Sequence, residues 1–378
     1  MVKRRRIVRT VLVVLVACLC ASTAAEIPAG SKVTVALEER PLAEVVQALA
    51  KQSGNAPLAV PDDLRNLPVT LKVADVDYWQ ALDRLCASAG LIYVPDLEHG
   101  GLRLDKALEH EGHGAYVGCM VVKAEEVRRI ADYRVIREPR PGMTSADTRC
   151  VVRYFWEDRL PVVRARAEVI EVRDAEGRPI RKTQIPQPRP YRVHVEHGSR
   201  PPSGTMTFYM TGIPEDADRL SEVSGVVALW WGEGRKELVL DLVPGDAEAT
   251  ASFGELTLTL RKSEPVADGV RIDVRAGLGG AGAELLLGAY GSPYGFYLAG
   301  PDGKRTACTV RQVTRNLHLQ GDAGHRYTPA HRPTGHVDVV LSCAMPGPMG
   351  KGWSLVYVCP ERIEKAELAF AIRNLPLR

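Results

Sequence analysis

Three kinds of residue pattern in this chain carry chemistry in other proteins: a glycine-rich run, histidines set beside acids, and clustered aromatics. Gly277-Leu-Gly279-Gly-Ala-Gly282 has the GxGxxG spacing with which a backbone turn cradles a pyrophosphate. That use needs a βαβ unit, with a long helix after the loop and an acid about 20 residues on. Only Ala283 to Gly288 intervene before Gly/Pro-rich turns, so the run reads as a hairpin loop. Gly300-Pro-Asp-Gly303-Lys304 and Gly350-Lys351-Gly352 lack full phosphate-loop spacing and read as turns.

His110-Glu-Gly-His113 has too few intervening residues for the zinc-protease pattern, which sets two histidines on one helical face. His194 and His197, with Glu196 between them, point to opposite faces of any strand that holds them. His325, His331 and His336 crowd one loop. All three groups read as exposed polar loop, so no metal site is expected. There is no GxSxG elbow and no CxxC, and the acid pair Glu157-Asp158 is of a kind common at strand ends. No catalytic residue and no cofactor is assigned, and the expectation is a protein that is not an enzyme.

Trp230-Trp231 and the group Tyr290, Tyr294, Phe296 and Tyr297 have the composition of a sugar-stacking platform. Core or edge packing is the reading we favour for them. Adjacent aromatics on a strand face opposite sides, so one of Trp230 and Trp231 is expected in the core and the other outside. An exposed surface of Trp230, Trp231, Tyr290 and Tyr294 would make this a carbohydrate-binding or cell-wall-binding protein, the second reading of the chain.

The charge has a local origin. The net formal charge is +3, yet Lys3, Arg4, Arg5, Arg6 and Arg9 all lie before residue 26, where there is no acid. The remainder holds 44 basic against 46 acidic residues, without the basic field that nucleic acid requires. These first residues read as a signal peptide over 1–25. A basic stretch precedes an apolar run from Val11 to Leu19, and small residues follow to Ala25. The run is shorter than the ~20 apolar residues of a membrane span, and no other stretch is long and apolar enough. Two processing routes are open. Cleavage after Ala25 gives a soluble chain from Glu26, and this is favoured. Alternatively Leu15-Val16-Ala17-Cys18 resembles a lipobox, in which Cys18 would carry a lipid anchor.

Export permits disulfides. Cys343 and Cys359 sit in consecutive apolar runs, equidistant from residue 351, where a hairpin would set them opposite each other. Two buried free thiols are an equal alternative. Cys86 falls on the apolar face of a helix and reads as core.

The elements that organise the chain are clearest at residues 31–104. Lys32 to Leu37 reads as a strand, and Pro41 opens a helix with Leu42, Val45, Val46, Leu49 and Ala50 on one face. Gly54 suits the left-handed residue that ends it. The unit then repeats with a shift of 36 residues: Val69-Thr70 follows Val33-Thr34, and Tyr78, Leu82, Leu85, Cys86 and Gly90 follow Leu42, Val46, Leu49, Ala50 and Gly54. Leu91 to Val94 and Gly100 to Leu104 close it. The order is strand–helix–strand, then strand–helix–strand–strand.

Val33-Thr34, Pro41-Leu42, Leu49-Ala50 with Ser53-Gly54, and Leu82 through Gly90-Leu91 and Tyr93 resemble the short domain at the amino terminus of secretins and of signal-transducing TonB-dependent receptors. The resemblance covers about a fifth of the chain. It implies a non-catalytic periplasmic module over 26–108 that contacts envelope proteins. No pore or barrel sequence follows, so only the docking role carries over.

After a linker near Asp105–Gly114, long helical periodicity gives way to short alternating runs such as Val163, Ala165, Ala167 and Val169. Glu215–Glu222 reads as one short helix. Strand-like runs with turn signals at intervals of roughly 8–12 residues indicate sandwiches or barrels. The fold class expected is α+β: a small amino-terminal module followed by two immunoglobulin-like β-sandwiches, at 109–247 and 248–378. The function expected is that of a non-enzymatic protein, periplasmic or associated with the outer membrane of a Gram-negative-type bacterium, that docks on envelope proteins through 26–108.

Overall fold

The computed structural model describes residues 28–96, 98, 100–107, 114–130, 147–184, 201–211, 213, 217–242, 248–279, 294–319, 333–345 and 351–377. The segment read as a signal peptide, with Cys18, lies outside them, as do Tyr290 and all the histidines weighed above except His336. The chain is mostly β, with two short helices among the described residues. No helix among those residues is long and apolar enough to cross a membrane.

Residues 32–106 fold as strand β1 (Lys32–Pro41), helix α1 (Leu42–Ser53), strand β2 (Pro68–Asp77), helix α2 (Tyr78–Ala89) and strands β3 (Leu91–Pro95) and β4 (Leu102–Lys106). The 36-residue shift relates β1 to β2 and α1 to α2 end for end. Apolar residues three and four apart fall on one helical face, and Leu42, Val45, Val46 and Leu49 are at most 2% exposed. Each such side chain contributes roughly 1.5–3 kcal/mol by leaving water. Gly54 and Gly90 end the two helices at φ of 73° and 64°, a backbone region that costs glycine nothing. Pro41 stands one place before α1 rather than inside it, with the extended ψ of 135°. β1 and β2 pair antiparallel and form a sheet of their own, and β3 pairs with β4.

Two pairs of facing sheets make up the rest. In the first pair, β5 (Gly114–Val117), β6 (Met120–Ile130), β7 (Asp147–Trp156), β10 (Ser203–Thr211) and β9 (Arg181–Gln184) are ordered β5-β6-β7-β10-β9. The opposing sheet has three strands, β21-β11-β8: Arg362–Pro376, Arg219–Glu233 and Val162–Asp174. Both sheets bury their inner faces in one cluster that includes Val152, Phe208, Val227 and Phe370. Gly225 of β11 lies opposite Phe370. A Cβ there would sit 2.2 Å from the Glu168 carbonyl oxygen and 2.8 Å from the Phe370 ring, so only glycine lets the three strands close.

In the second pair, β12 (Lys236–Asp241), β20 (Ser354–Cys359), β16 (Gly295–Ala299) and β17 (Arg305–Ala307) form one sheet. β13 (Thr250–Phe253), β14 (Leu256–Val266), β15 (Gly269–Leu278), β19 (Pro333–Ala344) and β18 (Thr309–Leu319) form the other. Leu258, Ile272, Leu341, Leu355 and Tyr357 meet between them.

Three sequence expectations are corrected. The boundary at 247 does not follow the strands: β12 belongs to the second sandwich, and the last strand, β21, returns to pair with β11 along its length. The second sandwich is therefore inserted between two neighbouring strands of the first. The short helix expected at Glu215–Glu222 is strand from Arg219 onward. Cys343 and Cys359 do not form a bridge, because β19 and β20 lie in opposite sheets rather than in one hairpin. Cys343 is instead bonded to Cys308, which the Thr309–Ser342 register brings opposite it, with Cα atoms 4.4 Å apart. Cys359 is a buried free thiol.

Candidate functional site

The densest long-range chemistry lies where the repeated unit meets the first sandwich. β6 and β7 each contain apolar residues in unbroken succession, Met120-Val-Val122 and Tyr154-Phe-Trp156. Side chains alternate along a strand, so such a run is buried on both faces. Met120, Val122, Tyr154 and Trp156 enter the sandwich core, while Val121 and Phe155 point the other way and complete the core of the repeated unit. Trp79 of α2 packs against Tyr93 and Phe155, at ring separations of 5.6 and 6.0 Å. Its indole N–H donates to the Cys119 carbonyl at 3.0 Å.

A buried carboxylate pins this joint. Glu157, with no solvent exposure, follows β7 and accepts the Ser31 backbone N–H at 2.8 Å. It also accepts the Ser31 hydroxyl and the Arg159 Nε–H, the latter at 2.6 Å. Arg159 reaches on to the Ala29 carbonyl, and the Cys119 N–H donates to Pro28, so residues 28–31 are strapped into the joint. Beside it, Asp158 accepts the Ala56 N–H, and burial pushes its carboxyl above the usual aspartate range. Asp83 of α2 accepts hydrogen bonds from Tyr116 and Lys123, and Lys123 also lies 4.3 Å above the Tyr93 ring. These acids are committed to backbone N–H groups and to neighbouring basic and hydroxyl side chains, the arrangement of a structural clamp.

Next to the clamp is a groove of about 570 Å³. Asn55, Leu58 and Asp96 line it from the repeated unit, Trp156, Asp158, Leu160 and Val163 from the first sandwich, and Tyr294 from the second.

The described members of the aromatic group do not form an open stacking platform. Trp231 is 4% exposed in the first sandwich core, and Tyr294 is 5% exposed, its hydroxyl donating to the Gly234 carbonyl at 3.0 Å. Trp230 points outward, as strand alternation requires, but it is half-buried in the seam between the sandwiches. There Arg164 and Lys365 each lie 5.3 Å from its ring. These rings serve packing rather than an open stacking face. Gly277 lies near the end of β15, an antiparallel strand flanked by β14 and β19, which is not a βαβ setting. No group of three or more metal-ligating side chains occurs among the described residues.

No family model matches the chain, and no curated protein or solved structure does either.

Proposed function

We propose that this is a non-enzymatic protein of the bacterial envelope, exported through residues 1–25, whose secretin-type amino-terminal unit docks onto an envelope partner. The two sandwiches, which we read as immunoglobulin-like, carry that unit and act as spacers or further binding surfaces. One observation supports this reading above the others. β1 and β2 are ten-residue strands that pair only with each other, so each keeps an edge of its ladder without a β partner among the described residues. An unpaired sheet edge is a template for an added strand or a flat partner surface, here in short segments, since β1 bulges between Val33 and Val35 and between Leu37 and Arg40. Glu38, Glu39, Arg40 and Lys72 are exposed on these strands and give the surface a mixed charge, which favours a specific partner over self-association.

The test is affinity purification of the full chain from its own envelope, with mass measurement of the same sample. The reading requires a processed chain, starting at Glu26 or at an acylated Cys18, together with an envelope protein in fixed proportion. An unprocessed chain with no companion contradicts it.

A further inference from the structure

Two polar side chains line the groove at the joint, and one of them keeps a donor without a partner. Asn55 is 7% exposed; its Oδ1 accepts the Arg159 N–H at 3.2 Å, and its own N–H donates to Ser53 Oγ at 3.3 Å. Its orientation is thereby fixed, yet its Nδ2 has no hydrogen-bond partner. A buried amide donor of this kind calls for an acceptor. Asp158 lies three residues beyond the clamp's neighbour Phe155 and lines the same groove. Both of its oxygens face the Ala56 N–H, at 2.9 and 3.1 Å, and no basic side chain forms an ion pair with it among the described residues. Of the arginines near it in sequence, Arg153 pairs with Glu125, Arg159 binds Glu157 and the Ala29 carbonyl, and Arg164, which also lines the groove, lies 5.3 Å from the Trp230 ring.

An amide donor from the repeated unit and a half-buried carboxylate from the first sandwich, lining one groove, match a ligand that offers a carbonyl and a cation together. Trp156, Leu160, Val163 and Tyr294 supply apolar contact around them. The volume of about 570 Å³ falls within the ~300–1,000 Å³ of sites that enclose small ligands. We propose that this groove binds a short peptide segment bearing a basic side chain, its main-chain carbonyl accepting from Asn55 and its cation pairing with Asp158. The proposal rests on the reading of the protein as a docking protein and adds a second contact at the foot of the docking unit.

Calorimetry on the full mature chain tests it with three capped tripeptides, Ala-Lys-Ala, Ala-Ala-Ala and Ala-Glu-Ala, and with glucosamine. The lysine peptide is expected to bind saturably and at least tenfold more tightly than the other two. Asp158→Asn, which keeps an acceptor for Ala56, is expected to weaken it about tenfold. Asn55→Ser, which shortens the side chain and withdraws the amide donor, is expected to weaken all carbonyl-bearing peptides alike. Equal binding of the three peptides, binding of none, or binding of glucosamine alone overturns the proposal. If no peptide binds while the envelope partner still co-purifies, this inference fails and the docking reading stands. If the lysine peptide binds and no envelope protein co-purifies, the groove stands and the docking reading fails.

Discussion

Ser31 and Glu157 are 126 positions apart in sequence and meet through two hydrogen bonds, from the serine backbone N–H and from its hydroxyl. The strand that opens the repeated unit is thus fastened to the turn that ends β7. The unit and the first sandwich share a core through Val121 and Phe155. Removing residues 26–108 would bare both side chains, so partner binding is measured on the whole chain.

Glu157→Ala leaves the half-buried Ser31 N–H and the more exposed Arg159 guanidinium without their shared buried acceptor. A hydrogen bond to a charged group contributes about 1.5–3 kcal/mol, and an orphaned donor adds a desolvation penalty. The expected loss is about 2–4 kcal/mol in urea unfolding, with Glu157→Gln losing less because it keeps one acceptor. Equal stability of Glu157→Ala and the parent would mean the clamp does not hold the joint.

Gly30→Ala probes the same joint by volume. A Cβ at Gly30 would lie 2.6 Å from the Gly118 carbonyl oxygen and 3.1 Å from an Asp77 oxygen. The strap must shift, at a cost of about 1–3 kcal/mol typical of overpacking. Faster hydrogen exchange in residues 28–31 and α2, with the second sandwich unchanged, is the expected signature.

Asp158 sets a pH dependence. Burial raises its carboxyl in the folded chain, so between the ordinary aspartate range and that raised value the folded state binds more protons than the unfolded one. Stability from this group therefore falls as pH rises through the window and is regained as pH falls through it. Melting of the parent and of Asp158→Asn between pH 7 and 4 should show the parent gaining on the variant as the solution becomes more acidic. Parallel melting curves would remove Asp158 from that role.

The cysteines give a chemical test of the fold. Burial pushes the Cys86 and Cys150 thiols up to about 12 and those of Cys119 and Cys359 up to about 11, which keeps them protonated and poorly nucleophilic. A folded chain made to begin at Glu26 should resist alkylation at these four at pH 7.5, take four labels in denaturant, and take six only after reduction. Peptide mapping should join Cys308 to Cys343. A Cys343–Cys359 peptide would contradict the arrangement of the two sheets.

The repeated unit was legible because its determinants are local. Apolar spacing within twelve residues makes each helix, Gly54 and Gly90 end them, and the 36-residue shift shows in the sequence as it does in space. Most strands of the sandwiches were legible from alternation for the same reason. Their assignment to sheets was not. β11 and β21 pair Glu233 with Arg362 across an intervening sandwich, and no pattern within either strand names its partner. The disulfide was not legible for the same reason, since Cys308 meets Cys343 through the register of β18 and β19. The joint did leave a signal: the unbroken apolar runs at Met120–Val122 and Tyr154–Trp156 call for burial on both faces. Glu157, beside the second run, has its partner Ser31 126 residues away, and its spacing alone gives no hint of it.

The docking claim is tested most directly by a photo-crosslinking side chain placed at Glu38, exposed on β1, and separately at Arg261, exposed on β14 of the second sandwich. Both proteins are expressed in the cell that makes the chain, and adducts are read by mass. The account predicts one discrete envelope-protein adduct from Glu38 and none of that species from Arg261. The same adduct from Arg261 alone, or no adduct from Glu38 while the affinity-purified chain retains its partner, would contradict the assignment of docking to the amino-terminal unit.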